Sequence, residues 1–106
     1  MNPPILDRIV DLIVPLVNPD QIVLFGSYAR GDYTDRSDID LLVLKKGMED
    51  EGEVIDNIYF SFLGQRLGIP VDVLALDTDR YLELSDVVGC VYKQIKKDGK
   101  VLYEAL

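Results

Sequence analysis

Asp38 and Asp40 stand two residues apart at the head of the apolar run Ile39–Leu44. In an extended strand, residues i and i+2 point to the same face, so the two carboxylates project side by side. Two like charges this close repel unless one is protonated or a cation lies between them. An all-oxygen donor pair suits a hard divalent ion, Mg²⁺ or Mn²⁺. Asp72 is a third candidate, because it interrupts the otherwise apolar segment Val71-Asp72-Val73-Leu74-Ala75-Leu76. A charge in such a strand is costly unless it is paired or ligates a metal. If the two strands are neighbours, three carboxylates meet in a two-metal site of the kind that supports in-line displacement at phosphorus. The plainer alternatives are a solvated turn at Asp38 and Asp40, and an edge position or a pairing with Arg66 or Arg80 for Asp72.

Upstream lies Phe25-Gly26-Ser27-Tyr28-Ala29-Arg30-Gly31. Glycine permits close approach of the backbone to a ligand, and free N–H groups at a turn or helix start bind phosphate. Gly26 and Ser27 are therefore candidate phosphate-binding residues, the Ser27 hydroxyl adding one hydrogen bond. Arg30 either balances phosphate charge or forms a structural ion pair. Gly31 and Ser37 are loop residues that turn the chain back toward the carboxylates. Tyr28 and Tyr33 are loop-packing or rim residues.

Composition narrows the chemistry. The 106 residues include 11 Lys and Arg against 19 Asp and Glu, a formal net charge of −8, with no histidine and one cysteine, Cys90. The absence of histidine excludes Ser-His-Asp and Cys-His nucleophiles and His-ligated zinc. A single cysteine excludes an internal disulfide and fits a reducing, cytoplasmic setting. The acidic balance argues against direct binding to a polynucleotide backbone, but not against one nucleotide held through a metal ion. The acid excess is 14 Asp to 5 Glu, and Asp favours caps, turns and metal sites over helix interiors. No apolar run approaches the ~20 residues needed to span a bilayer, and the first residues lack a signal-peptide pattern. One domain over residues 1–106 is expected at this length.

The elements that must position these residues read as follows. Asn2-Pro3-Pro4 opens a helix, followed by apolar residues at helical spacing to Val17; Pro15 should kink or end it, and Asn18-Pro19-Asp20 stops it. Gln21–Phe25, Ile39–Leu44 and Val71–Leu76 read as strands, and Gly26–Asp35 as a loop with at most one helical turn. Glu53–Leu67 reads as a helix with Ile55, Ile58, Tyr59, Phe62 and Leu63 on one face, stopped by Gly68 and Pro70. Asp77-Thr78-Asp79 caps a short helix to Leu84. Ser85 caps another, Asp86–Lys97, with Val87, Val88, Cys90, Val91, Tyr92 and Ile95 inward. Val101–Tyr103 adds a small strand. Strands alternating with helices give an α+β domain, a small mixed sheet flanked by helices.

The two motifs together, Gly26-Ser27 and then, after ten residues, Asp38-Ile39-Asp40, resemble the signature of the DNA polymerase β-like nucleotidyltransferase superfamily. The stretches Phe25–Gly31 and Ser37–Leu41 are most similar to its smallest branch, the minimal nucleotidyltransferases. These are the MntA-like antitoxins that pair with HEPN ribonuclease toxins. The resemblance implies a polymerase β palm-like core and transfer of AMP from ATP to a hydroxyl, with release of pyrophosphate. It implies that Asp38 and Asp40 hold two Mg²⁺ ions, Mn²⁺ being an alternative. Asp72 would bind the catalytic ion and help deprotonate the acceptor, and Gly26 and Ser27 would grip the β- and γ-phosphates. It further implies a HEPN toxin as partner, modified on a tyrosine, within a homo- or hetero-oligomer and away from membranes. Two rival readings keep the fold: an antitoxin that neutralises by binding alone, and a transferase acting on a small-molecule acceptor.

Overall fold

The computed structural model describes residues 3–106. Nine elements follow in order: α1 (Pro4–Val17), β1 (Gln21–Phe25), α2 (Ser27–Arg30), β2 (Ile39–Lys45), α3 (Glu51–Phe62), β3 (Val71–Asp77), α4 (Thr78–Leu84), α5 (Val91–Asp98) and β4 (Lys100–Glu104). The strands form one mixed sheet in the order β3-β2-β1-β4. β1 is antiparallel to β2 and β4, whereas β2 and β3, joined through α3, are parallel. This is the small mixed sheet with flanking helices that the alternation of patterns predicts.

Alternation along the strands divides the core in two. Ile39, Leu41 and Val43 of β2 join Leu6, Ile9 and Ile13 of α1 and Ile58 of α3 in one buried cluster. Leu42 and Leu44 point to the other face and meet Tyr81 of α4 and Ile95 of α5. The sheet is thus sandwiched between α1 with α3 and α4 with α5. By the same alternation Asp40 shares the face of Leu42, on the α4 and α5 side.

Several expectations are corrected. α1 runs through Pro15 to Val17 and ends at Asn18, which takes a left-handed conformation and bonds the Val14 carbonyl. Pro15 lies in the last turns on the exposed side, so its missing N–H leaves the Asp11 carbonyl to water and the helix does not break. The proposed cap Asn2 lies outside the described residues. α3 ends at Phe62 with an extended Leu63 and a positive-φ Gly64, well before Gly68. Leu63 is exposed and not on the buried face. Finally, 86–90 forms turns, with Gly89 at positive φ, and α5 starts only at Val91. Val87, Val88 and Val91 are exposed, and Cys90 caps the helix at a partly exposed position. Ser85 caps no new helix; buried at the end of α4, it donates its hydroxyl to the Leu82 carbonyl.

The sheet end where β1 begins and β2 and β3 finish is tightly bonded. Asp20 accepts from the Lys46 N–H at 2.7 Å and the Thr78 hydroxyl at 2.9 Å. Asp77 caps α4 through the Arg80 N–H at 3.1 Å and accepts from the Gly47 N–H at 2.6 Å. Those donors hold the Asp77 carboxyl below its ordinary value. A carboxylate depressed in the folded state stabilises above its unfolded pKa and loses that contribution as pH falls through the folded value. Asp77→Ala is therefore expected to lower the melting temperature at neutral pH, with the gap to the parent narrowing below about pH 4 in thermal melts followed across pH.

Candidate active site

The opposite end of the sheet carries the candidate residues. Parallel pairing of β2 and β3 sets Asp40 directly beside Asp72. Antiparallel pairing of β1 and β2 sets Phe25 opposite Asp40, which delivers the following Gly26 to the same place. Asp38 lies one residue before β2, exposed like Asp72, whereas Asp40 is half-buried. Sequence reasoning placed Asp72 near the pair only if the strands were neighbours; they are, in register.

Gly26 is built into this contact. Its φ of 72° and ψ of −155° suit glycine, and a Cβ there would overlap Oδ2 of Asp40. The bare backbone therefore lies against the carboxylate. Nothing in the sequence spacing signals this contact; it arises from the β1–β2 register. After Gly26 the chain turns into α2, where the Ala29 and Arg30 N–H groups bond the Gly26 carbonyl, both at 3.1 Å. The first two amides of this turn, those of Ser27 and Tyr28, have no helical carbonyl to bond.

Gly31 closes α2 at φ 86°, its N–H on the Ser27 carbonyl at 2.9 Å. Ser37 holds the returning loop: its hydroxyl accepts from the Thr34 N–H at 2.9 Å, and its own N–H bonds the Thr34 carbonyl at 3.1 Å. Arg30 pairs with Asp32 at 3.3 Å on the surface. Its charge also reaches Asp40, where it favours the ionised form. Neither Arg66 nor Arg80 pairs with Asp72; the ion pairs among the described residues are Arg30–Asp32 and Lys96–Asp86. Tyr28 and Tyr33 stack on each other, ring centroids 4.1 Å apart.

The electrostatics are those of a site without a counter-charge. Burial pushes the Asp40 carboxyl above the ordinary carboxylate range, and the neighbouring Asp72 and Asp38 push it further. Asp72 stands beside Asp40 in the parallel register. Unlike Asp20 and Asp77, these three carboxylates receive no N–H or hydroxyl donor among the hydrogen bonds of the described residues. No group of three acidic or thiol side chains among the described residues is already gathered around a metal position, as expected of carboxylates that repel one another. The donor set fits a hard cation: carboxylate oxygens only, on adjacent strands, beside backbone too close for a side chain.

Two outcomes follow. A carboxyl with a raised folded-state pKa stabilises below its unfolded value near 3.8 and loses that contribution as pH rises through the folded value. Without divalent metal, Asp40→Asn is therefore expected to raise the melting temperature at pH 7, a gain of at most about 1 kcal/mol or a few degrees, vanishing below about pH 4. Gly26→Ala is expected to cost about 1–2 kcal/mol from the left-handed backbone alone, with added loss from the overlap on Asp40. Calorimetric melts of the two variants beside the parent check both signs.

Comparison with known proteins gives the family and the fold. The nucleotidyltransferase domain family matches residues 6–102. A Methanocaldococcus jannaschii protein named as a candidate protein adenylyltransferase is 34% identical over 83 residues, 78% of this chain and 77% of the relative. A solved toxin–antitoxin structure with AMP-PNP aligns at a TM-score of 0.65 with 25% identity, over 94% of this chain and 73% of that chain. A structure of tri-AMPylated Shewanella oneidensis HEPN toxin in complex with MNT antitoxin shares the fold at a TM-score of 0.55 and 23% identity, over 95% and 71% of the two chains. By the family match over residues 6–102 and the relative at 34% identity, the chain belongs to the nucleotidyltransferase domain family.

Proposed function

We infer that residues 1–106 work as one minimal domain that transfers AMP from ATP to a hydroxyl of a partner protein, in a cytoplasmic setting. The acceptor is a tyrosine of a HEPN-type ribonuclease toxin, and the chain is the antitoxin that silences it. One observation supports this most: Asp40, half-buried, faces Asp72 across the β2–β3 register and the bare backbone of Gly26 across β1–β2. A half-buried carboxylate facing a second one, with a third two residues away and no donors, destabilises a fold unless a cation offsets the charge. The toxin–antitoxin complex with AMP-PNP and the M. jannaschii relative support the nucleotide and the protein acceptor.

Asp38 and Asp40 would hold two Mg²⁺ ions, or Mn²⁺, with Asp72 on the catalytic one; such ions neutralise the triphosphate and lower the pKa of an attacking hydroxyl. The chain's own groups do the rest. The amides of Ser27 and Tyr28 and the Ser27 hydroxyl bind the β- and γ-phosphates, fixing the direction of departure of pyrophosphate. Arg30, half-exposed beside the site, adds positive charge at that end. The acceptor oxygen forms a bond to the α-phosphorus, the bond from that phosphorus to the bridging oxygen breaks, and Asp72 accepts the hydroxyl proton. A carboxylate suffices as base, which suits a chain without histidine.

The test is labelling of the cognate HEPN protein by α-³²P-ATP and Mg²⁺. The parent is expected to label it on tyrosine. The double variant Asp38→Asn, Asp40→Asn is expected to lose at least about a thousandfold in rate, and EDTA to abolish the reaction. Undiminished labelling by the double variant overturns the mechanism. Full neutralisation of the toxin by an unlabelling variant favours the binding-only antitoxin.

A further inference from the structure

The charge of the chain is distributed very unevenly. Residues 91–100 carry four lysines against one aspartate, a local +3, whereas the whole chain stands at −8. The remaining residues therefore hold −11. The fold turns that basic stretch outward along α5 and sets it beside the turns of 86–90, which together form an open groove of about 740 Å³ lined among others by Ser85, Gly89, Cys90, Lys93, Lys96 and Lys97. Only Lys96 has a carboxylate partner, Asp86 at 3.4 Å, in a pair exposed to water. Among the described residues, the ammonium groups of Lys93 and Lys97 form no ion pair.

The groove also has an apolar side. Val91 lines it and is half exposed; in the adjoining turn, outside the lining itself, Val87 is about half exposed and Val88 85% exposed. Exposed valines so close together beside unpaired lysines mark a contact surface better than a solvated helix end. α5 packs through Ile95 onto the face of the sheet that Leu42 shares with Asp40. At Gly99, where a Cβ would stand 2.8 Å from Val23 Cγ1, it is pressed against β1, the strand that leads to Gly26. The groove is therefore carried by a helix packed on the face of the sheet that Asp40 shares.

Resting on the reading that the acceptor is a protein, we propose that this groove docks an acidic segment of the acceptor bearing an apolar residue, and so presents its hydroxyl to the site. Charge complementarity selects the occupant. Lys93, Lys96 and Lys97 attract carboxylates at contact range, and the valines receive an apolar side chain. A nucleic acid backbone offers nothing to the valines and meets the repulsion of −11 elsewhere, whereas a short segment feels mainly charges within a Debye length of about 8 Å.

The probe is a short fluorescein-labelled peptide of Glu-Glu-Leu repeats, followed by anisotropy at about 0.15 M salt, where the Debye length is about 8 Å, without nucleotide or metal. Saturable binding is expected, weaker for a Glu-Glu-Ser peptide, weakened at least about tenfold by Lys93→Glu, Lys96→Glu, Lys97→Glu, and weakened by Val88→Asp. All four positions are exposed, and circular dichroism checks that the variants remain folded. No saturable binding by the parent, equal binding by the variants, or tighter binding of an oligouridine than of the peptide overturns the proposal. AMP-PNP binding in Mg²⁺ is measured separately. Its failure in the parent strikes the transferase reading, whereas failure of peptide binding alone strikes only the docking groove.

Discussion

The parallel register of β2 and β3 is the constraint on which the site depends. It sets Asp40 beside Asp72, and like charges at that spacing oppose the fold that places them there. The register holds because the rest of both strands is buried on two faces: Leu41 and Val43 against α1 and α3, Leu42 and Leu44 against α4 and α5. Slipping the pairing by one residue would turn every one of those side chains to the wrong face. The hydrophobic alternation that builds the core thus also fixes the separation of the carboxylates, and it supplies the free energy that offsets their repulsion.

The two ends of the sheet treat their acids in opposite ways. Asp20 and Asp77 are bonded to backbone N–H groups and a hydroxyl, and they join loops to strands. Asp38, Asp40 and Asp72 have none of these donors, and Asp40 is held above its ordinary pKa by burial and its neighbours. One residue type therefore does structural work at one end and stores unfavourable electrostatic energy at the other. Gly26 belongs to the same economy of space: its missing side chain lets the Gly26-Ser27 turn lie directly against Asp40.

The acidic balance of the chain also reads differently in three dimensions. A net −8 suggests a surface repelling other anions, but the fold collects four of the six lysines along α5 and its junction with β4. What remains is an acidic body with one basic groove among the described residues, on the side of the sheet that Asp40 shares. That asymmetry favours oriented encounter with a partner over indiscriminate attraction to polyanions.

Sequence alone determined whatever depends on short-range periodicity and residue chemistry. The period of two put Asp38 and Asp40 on one face, the apolar runs marked three strands, and the Asp77 cap and the Gly26-Ser27 turn were legible as local backbone chemistry. The chain's own spacing also carried the family resemblance. Tertiary structure alone decided what depends on which segments meet. The end of α3 at Phe62 and the exposure of Val87 and Val88 escaped the helical pattern, because a run of apolar residues has the same periodicity whether or not another element covers it. Asp72 could be a candidate in sequence but became a neighbour only through the pairing of β2 with β3. The overlap awaiting any Cβ at Gly26 likewise comes from a contact between segments distant in the chain, whereas Lys93, Lys96 and Lys97 share a helix face by their own spacing and only the seating of α5 through Ile95 turns that face outward.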